Sequence, residues 1–135
     1  MALFTWSDKY IVNINEIDNQ HKKLVDMLNA LHDAMKAGKG NEVLGKTLGE
    51  LIQYVGVHFA TEEKLMSTHG YPEYNAHKAE HIKLTQKAVD LQKNFQQGEH
   101  VLTMEVLGFL KDWLQNHILG TDKKYSPFLN SKGVI

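Results

Sequence analysis

No cysteine occurs in the 135 residues, which excludes disulfides, iron–sulfur clusters and thiol chemistry. Proline is scarce: Pro72 stands at one break in the chain and Pro127 near its end. No apolar run approaches the roughly 18 residues that a bilayer-spanning helix needs, so membrane insertion is not expected. The formal net charge is only −1, which gives no electrostatic pull toward nucleic acid or an anionic membrane. Met1 to Trp6 lacks a cationic segment followed by an apolar stretch, so no secretory signal is expected and the expected location is cytoplasmic. Internal repeats and low-complexity tracts are also missing. A composition of 42% hydrophobic and 23% charged residues fits one compact globular domain.

Histidine, by contrast, is abundant, with eight residues in the chain. It is the commonest metal ligand and the usual switch near neutral pH, so the placement of these eight decides what they mean.

Breaks at Gly38-Lys39-Gly40, His69-Gly70-Tyr71-Pro72 and around Gly98 divide the chain into four long segments. Each segment has helical rather than strand periodicity. Leu24, Leu28, Leu31 and Met35 share one face of the first. Leu44, Leu48, Leu51, Val55, His58, Glu62 and Leu65 share one face of the second. His77, His81, Leu84, Ala88, Leu91 and Phe95 do so in the third, and Val106, Leu110, Trp113 and His117 in the fourth. Steps alternating between three and four are those of core-facing positions in a helical bundle. Asp18 and Asn41 are expected to begin helices as caps, and Pro72 suits the first turn of the third. Short connections make neighbours antiparallel. The expected fold is therefore all-α, an antiparallel up-down-up-down four-helix bundle with an N-terminal arm. The arm covers 1–17, the bundle about 18–120 and a C-terminal tail 121–135. Trp6, Tyr10 and Ile11 are expected to pack the arm against the bundle.

Polar residues interrupt the apolar stripe. His58, Glu62, His77, His81 and His117 sit where the period calls for an apolar side chain. Buried imidazoles and carboxylates are costly without partners, and several in one small core need a common explanation. His58 and Glu62 are four apart, as are His77 and His81, so each pair lies one turn apart on a helix face. In an antiparallel hairpin, residues equidistant from the turn lie level. That criterion pairs His21 with His58, Glu62 with His81, and His81 with His117. All four helices then bring ligand-type side chains to one layer. Asp122 is less regular. It follows His117 by five residues, about 140° round a regular α-helix. A π-bulge or an opened last turn near Gly120 would turn it back toward the layer, but the spacing alone does not identify Asp122.

Any one of these histidines taken alone reads best as a core or surface residue, and His32, His69 and His100 keep that reading. His32 lies on the stripe of His21 but about 16 Å further along the axis. Glu63 is expected to face solvent or to bond a ligand histidine. Two other metal patterns fit worse. His77-Lys78-Ala79-Glu80-His81 matches the H-x-x-E-H of inverted zinc peptidases, but places Glu80, the would-be base, off the core stripe. Ferritin-like di-iron sites need paired Glu-x-x-His motifs, and no Glu-x-x-His occurs here.

Gln20-His21-Lys22, His58-x-x-x-Glu62, His77-x-x-x-His81 and His117-x-x-x-x-Asp122, in this order, resemble the ligand series of the hemerythrin family. Ile17-Asp18-Asn19-Gln20, Gly70-Tyr71-Pro72 and Trp113-Leu114 are similar to the flanking text of single-domain bacterial hemerythrins. One departure is Asn13, where these proteins usually carry glycine. The resemblance spans the Trp6 arm to Asp122 and implies two iron ions (Fe2+/Fe3+) joined by a bridging oxo or hydroxo group. It implies that His77, His81 and His117 bind one iron, His21 and His58 the other, and that Glu62 and Asp122 bridge them. One coordination position would remain open, on the iron with two histidines, for end-on binding of dioxygen. The expected activity is reversible dioxygen binding, as a carrier or store rather than an enzyme. The alternatives are a di-iron oxygen or redox sensor, or a peroxidase or oxidase.

Overall fold

The computed structural model describes residues 4–38, 41–96 and 104–135. Lys39, Gly40, Gly98 and His100 lie outside these. Five α-helices run α1 (Asn15–Lys36), α2 (Asn41–Thr68), α3 (Tyr74–Gln96), α4 (Met104–Asn116) and α5 (Lys123–Ser131). A six-residue π-helical turn, His117–Asp122, joins α4 to α5. The first four helices form the antiparallel up-down-up-down bundle expected from the periodicity, and the described residues contain no strand. None of the helices among them is long and apolar enough to cross a membrane.

The apolar stripes account for the packing. Leu24, Leu28 and Leu31 of α1 and Leu44, Leu48, Leu51 and Val55 of α2 are buried, and Leu107, Leu110 and Leu114 close the core from α4. Each such side chain contributes about 2 kcal/mol by leaving water. The stripe of α3 is shallower. Leu84, Leu91 and Phe95 pack on the core but stay partly exposed.

Two boundary expectations change. α1 begins at Asn15, before Asp18, with Ile14 at the cap position and no side-chain cap. Asp18 instead accepts the Val12 N–H at 2.8 Å, which ties the arm to the first turn of α1. Pro72 precedes α3 rather than opening it, since that helix starts at Tyr74. Between them, α2 ends where Gly70 takes a positive φ of 71° and the Tyr71 N–H reaches back to the Met66 carbonyl at 2.9 Å. Glycine alone adopts that conformation without a Cβ penalty.

The arm makes a 3₁₀ turn at Asp8–Tyr10, with extended backbone at Ser7 and Ile11 on either side. It buries Phe4, Tyr10, Val12 and Ile14, with Trp6 half-buried against the core. Ile11 remains half-exposed, because in the extended stretch after the turn alternate side chains point inward. The tail is helical. Ser126 of α5 donates to the Val12 carbonyl, and Asn130 donates to the Asn13 carbonyl at 3.0 Å. The arm and α5 thus hold one another at the end of the bundle where the buried polar layer lies. Asn13 has φ 63°, a left-handed conformation. Among residues with a side chain, Asn adopts this region most readily.

Candidate metal centre

His21 comes from α1, His58 and Glu62 from α2, and His77 and His81 from α3. His117 opens the π turn that follows α4, and Asp122 closes it. All seven side chains are buried, none more than 4% exposed. They converge as two groups of potential ligand atoms. Glu62, His77, His81, His117 and Asp122 form one, and His21, His58, Glu62 and Asp122 the other. Within each group the ligand atoms lie within 4.8 Å of one another. The two carboxylates belong to both groups.

The level argument holds across the hairpins. The His21 and His58 rings are 4.6 Å apart, and the His81 and His117 rings 5.2 Å apart. Asp122 reaches the layer because the π turn winds one extra residue into its loop, which cancels most of the angular offset of the five-residue spacing. One oxygen of Asp122 faces each group. Oδ2 lies 2.8 Å from His21 Nε2, while Oδ1 lies 3.0 Å from His117 Nε2 and 3.3 Å from His77 Nε2. Glu62 behaves differently. Its Oε1 faces His58, His81 and His117 at 3.2, 3.3 and 3.2 Å, and its Oε2 is taken by the Tyr125 hydroxyl at 2.5 Å.

The outward nitrogens explain why this cluster suits a cation. His58 Nδ1 donates to Gln20 Oε1 at 2.7 Å, and His81 Nδ1 donates to Glu63 Oε2 at 3.1 Å. A neutral imidazole that spends its proton on Nδ1 presents a bare lone pair at Nε2. Among the described residues, the Nε2 atoms of His58, His77 and His81 are buried without a hydrogen-bond partner, as is Asp122 Oδ1. Lone pairs therefore face carboxylate oxygens at little over 3 Å. Only protons or cations between them relieve the repulsion, and imidazole with carboxylate is the donor set of iron and zinc. The residues fit the metal centre that the sequence pattern implies.

Without metal, protons take that role unevenly. Burial works against charge on His117, but Glu62 and, more weakly, Glu80 raise it to about 9. Burial would likewise raise Glu62, yet His58 and His117 hold its carboxyl well below the usual range. Burial and the charge of Glu62 push Asp122 well above its ordinary value. Two carboxyls sharing one dry site do not both ionise easily. His21 is depressed by burial and by His58, and His77 falls to about 4 chiefly through burial.

Around the layer, Phe59 stacks on His81 with centroids 3.9 Å apart and planes at 4°. Trp113 stacks on His117 at 5.9 Å and 24°, and Tyr125 on His77 at 5.5 Å and 28°. Leu24, Leu28, Val55 and Phe59 are buried, as a water-poor pocket requires, while Leu84 and Trp113 are partly buried. Sequence reasoning missed Tyr125. Its signal was its position three residues after Asp122, on one helix face if the tail is helical. Gln20 stood beside His21 without an assigned role, which the crossing to α2 supplies. Glu63 is 24% exposed and bonds His81. Glu80 lies at the rim, 3.8 Å from His117 Nδ1. His32 is buried but belongs to neither group, and His69 is half-buried in the turn after α2.

Comparison with known proteins agrees with this geometry. Residues 12–129 match the family described as the hemerythrin HHE cation binding domain. A bacteriohemerythrin of Methylococcus capsulatus is 45% identical over 132 residues, covering 97% of this chain and 100% of that protein. A hemerythrin-like protein of Naegleria gruberi is 36% identical and covers 93% of each. The crystal structure of a wild-type hemerythrin superposes with a TM-score of 0.88 at 45% identity, covering 95% of this chain and 98% of that one. The buried histidine–carboxylate layer, the four-helix bundle that holds it and the match over nearly the whole chain place this protein in the hemerythrin family.

Proposed function

We propose that this chain holds two iron ions and binds dioxygen reversibly, as a carrier or store. The observation that carries this reading is the division of seven buried donors into two groups that share Glu62 and Asp122. In this reading His77, His81 and His117 hold one metal, His21 and His58 the other, and the two carboxylates span both. When bound there, an iron pair would supply the two-electron redox chemistry that reversible dioxygen binding needs.

The chain's own residues supply the rest. Asp122 directs one oxygen toward each histidine group, the arrangement a bridge requires. Two carboxylates offset the charge of two cations in a core where water cannot. The two-histidine group has one donor fewer, so a small diatomic ligand would complete the set on that side. Leu24 and Val55, one helical turn from His21 and His58, are buried and keep water from that side. Exclusion of water slows protonation and loss of reduced oxygen species, the route by which the centre would be oxidised irreversibly.

The test is elemental analysis together with absorption spectra of the reduced protein before and after air. Two irons per chain and a spectrum that reverses through repeated cycles of oxygen and inert gas are expected. One zinc and no iron would refute the metal assignment. Sustained turnover of peroxide through those cycles would favour a peroxidase over a carrier.

A further inference from the structure

The two histidine groups differ in what stands behind them. On the two-histidine side, His58 Nδ1 donates to a neutral amide, Gln20 Oε1, at 2.7 Å. The orientation of that amide is set by a relay. The Thr61 hydroxyl donates to the Val57 carbonyl at 3.1 Å, so its lone pairs face Gln20. Gln20 Nε2 donates to Thr61 at 3.1 Å, which leaves Oε1 toward His58. His21 Nδ1 is buried with no hydrogen-bond partner among the described residues. On the three-histidine side two of the three rings, His81 and His117, have carboxylates behind them. His81 Nδ1 donates to the Glu63 carboxylate at 3.1 Å, and the Glu80 carboxylate lies 3.8 Å from His117 Nδ1. The latter distance is too long for a hydrogen bond but short enough to contribute charge.

A carboxylate behind Nδ1–H draws the proton toward itself, enriches the ring in electrons and makes Nε2 a stronger donor. An amide oxygen does the same far more weakly. We infer that Gln20 and Glu63 are opposed positioning residues: Glu63, through His81, biases its half of the centre toward the oxidised state, and Gln20, through His58, keeps the two-histidine half biased toward the reduced state. The inference rests on the di-iron reading above. It extends that reading by assigning the electronic difference between the halves to two residues outside the ligand set. Reversible release requires that the half with the open position not hold its oxidised state too firmly, and a neutral acceptor behind His58 provides that.

The test uses charge-swapping variants of nearly constant shape. Glu63→Gln removes the anion and keeps an acceptor, while Gln20→Glu places an anion behind His58. The midpoint potential of the iron-loaded protein is expected to rise in Glu63→Gln and to fall in Gln20→Glu. Each change should shift the oxidised-to-reduced ratio at fixed potential by about tenfold, the lower end of effects seen when such outer partners change. In zinc-loaded protein, where no redox chemistry intervenes, the ¹⁵N shift of His81 should be the more imidazolate-like in the parent chain and lose that character in Glu63→Gln. Equal ring shifts for His58 and His81, or potentials that stay put or move in one direction for both variants, would overturn the inference while leaving the di-iron reading intact. A parent chain that takes up no iron would overturn both.

Discussion

The Tyr125 hydroxyl donates to Glu62 Oε2 at 2.5 Å, with both residues wholly out of solvent. This bond joins α5 to α2 and decides which oxygen of Glu62 faces the histidines. Burial, together with the charges of Asp122 and Glu62, pushes the phenol well above its ordinary pKa, so it remains a donor at any physiological pH. Tyr125→Phe keeps the ring on His77 and removes only the donor. Loss of a buried hydrogen bond to a charged acceptor is expected to cost about 2 kcal/mol of metal-free stability in denaturant titrations. Chelator challenge should also strip metal from the variant faster, since Glu62 is no longer held in one orientation.

Asp122 depends on the π turn for its position and, in the proposed centre, spans both metals. Asp122→Ala leaves cationic charge uncompensated in a dry site. Metal analysis is expected to give fewer than two irons per chain, or the spectrum to fail to return after the first exposure to air. Normal oxygenation through repeated cycles would remove Asp122 from the ligand set.

His58 and His32 provide a matched pair of buried histidines, 0% and 6% exposed. Only His58 belongs to a ligand group. His58→Ala should lower metal content and abolish oxygen-dependent spectral change. His32→Ala should leave two irons per chain and oxygenation intact, with any loss confined to thermal stability. Metal analysis on both variants decides this.

The metal-free protein should be most stable near neutral pH. His77 is depressed to about 4 in the folded state from an ordinary 6.5. Below pH 6.5 the unfolded chain therefore takes up a proton that the folded chain refuses, and stability falls progressively down to about pH 4. His21 acts in the same direction. His117 is raised to about 9, so its contribution is fully present below 6.5 and is lost as pH rises through 9. Melting temperature against pH should show both limbs, and His77→Gln should flatten the acid one.

Asn13 holds φ 63° while its carbonyl accepts from Asn130. Asn13→Gly is expected to change stability little. Asn13→Ala should cost about 1 kcal/mol, the penalty of a Cβ in the left-handed region, as read by chemical denaturation. Equal stability of the two variants would show that the arm finds another path.

Much of the bundle was legible because it rests on local periodicity. Leu24, Leu28 and Leu31 repeat at helical spacing whatever they pack against, and a short break at Gly70 leaves α3 little choice but to run back along α2. His58 with Glu62 and His77 with His81 could be placed on one layer from turn positions alone. The five-residue step from His117 to Asp122 was compatible with an irregular turn, but the spacing alone did not single out Asp122, which rested on the resemblance to the family's ligand series.

Other relationships form between segments far apart in the chain, and no local pattern encodes them. Asp18 looked like a helix cap but is spent on the Val12 N–H, because the arm folds back across the start of α1. The helical tail brings Tyr125 to Glu62 across a separation of 63 residues. Gln20 and Glu63 each reach a histidine on another helix, and the difference between an amide behind one group and a carboxylate behind the other exists only where α1, α2 and α3 meet. The residue types and their spacing thus determined that a buried layer of histidines and carboxylates would form. Tertiary packing alone decided what stands behind each imidazole, because hydrogen-bond partners at Nδ1 are chosen by proximity in space and not by position along a helix.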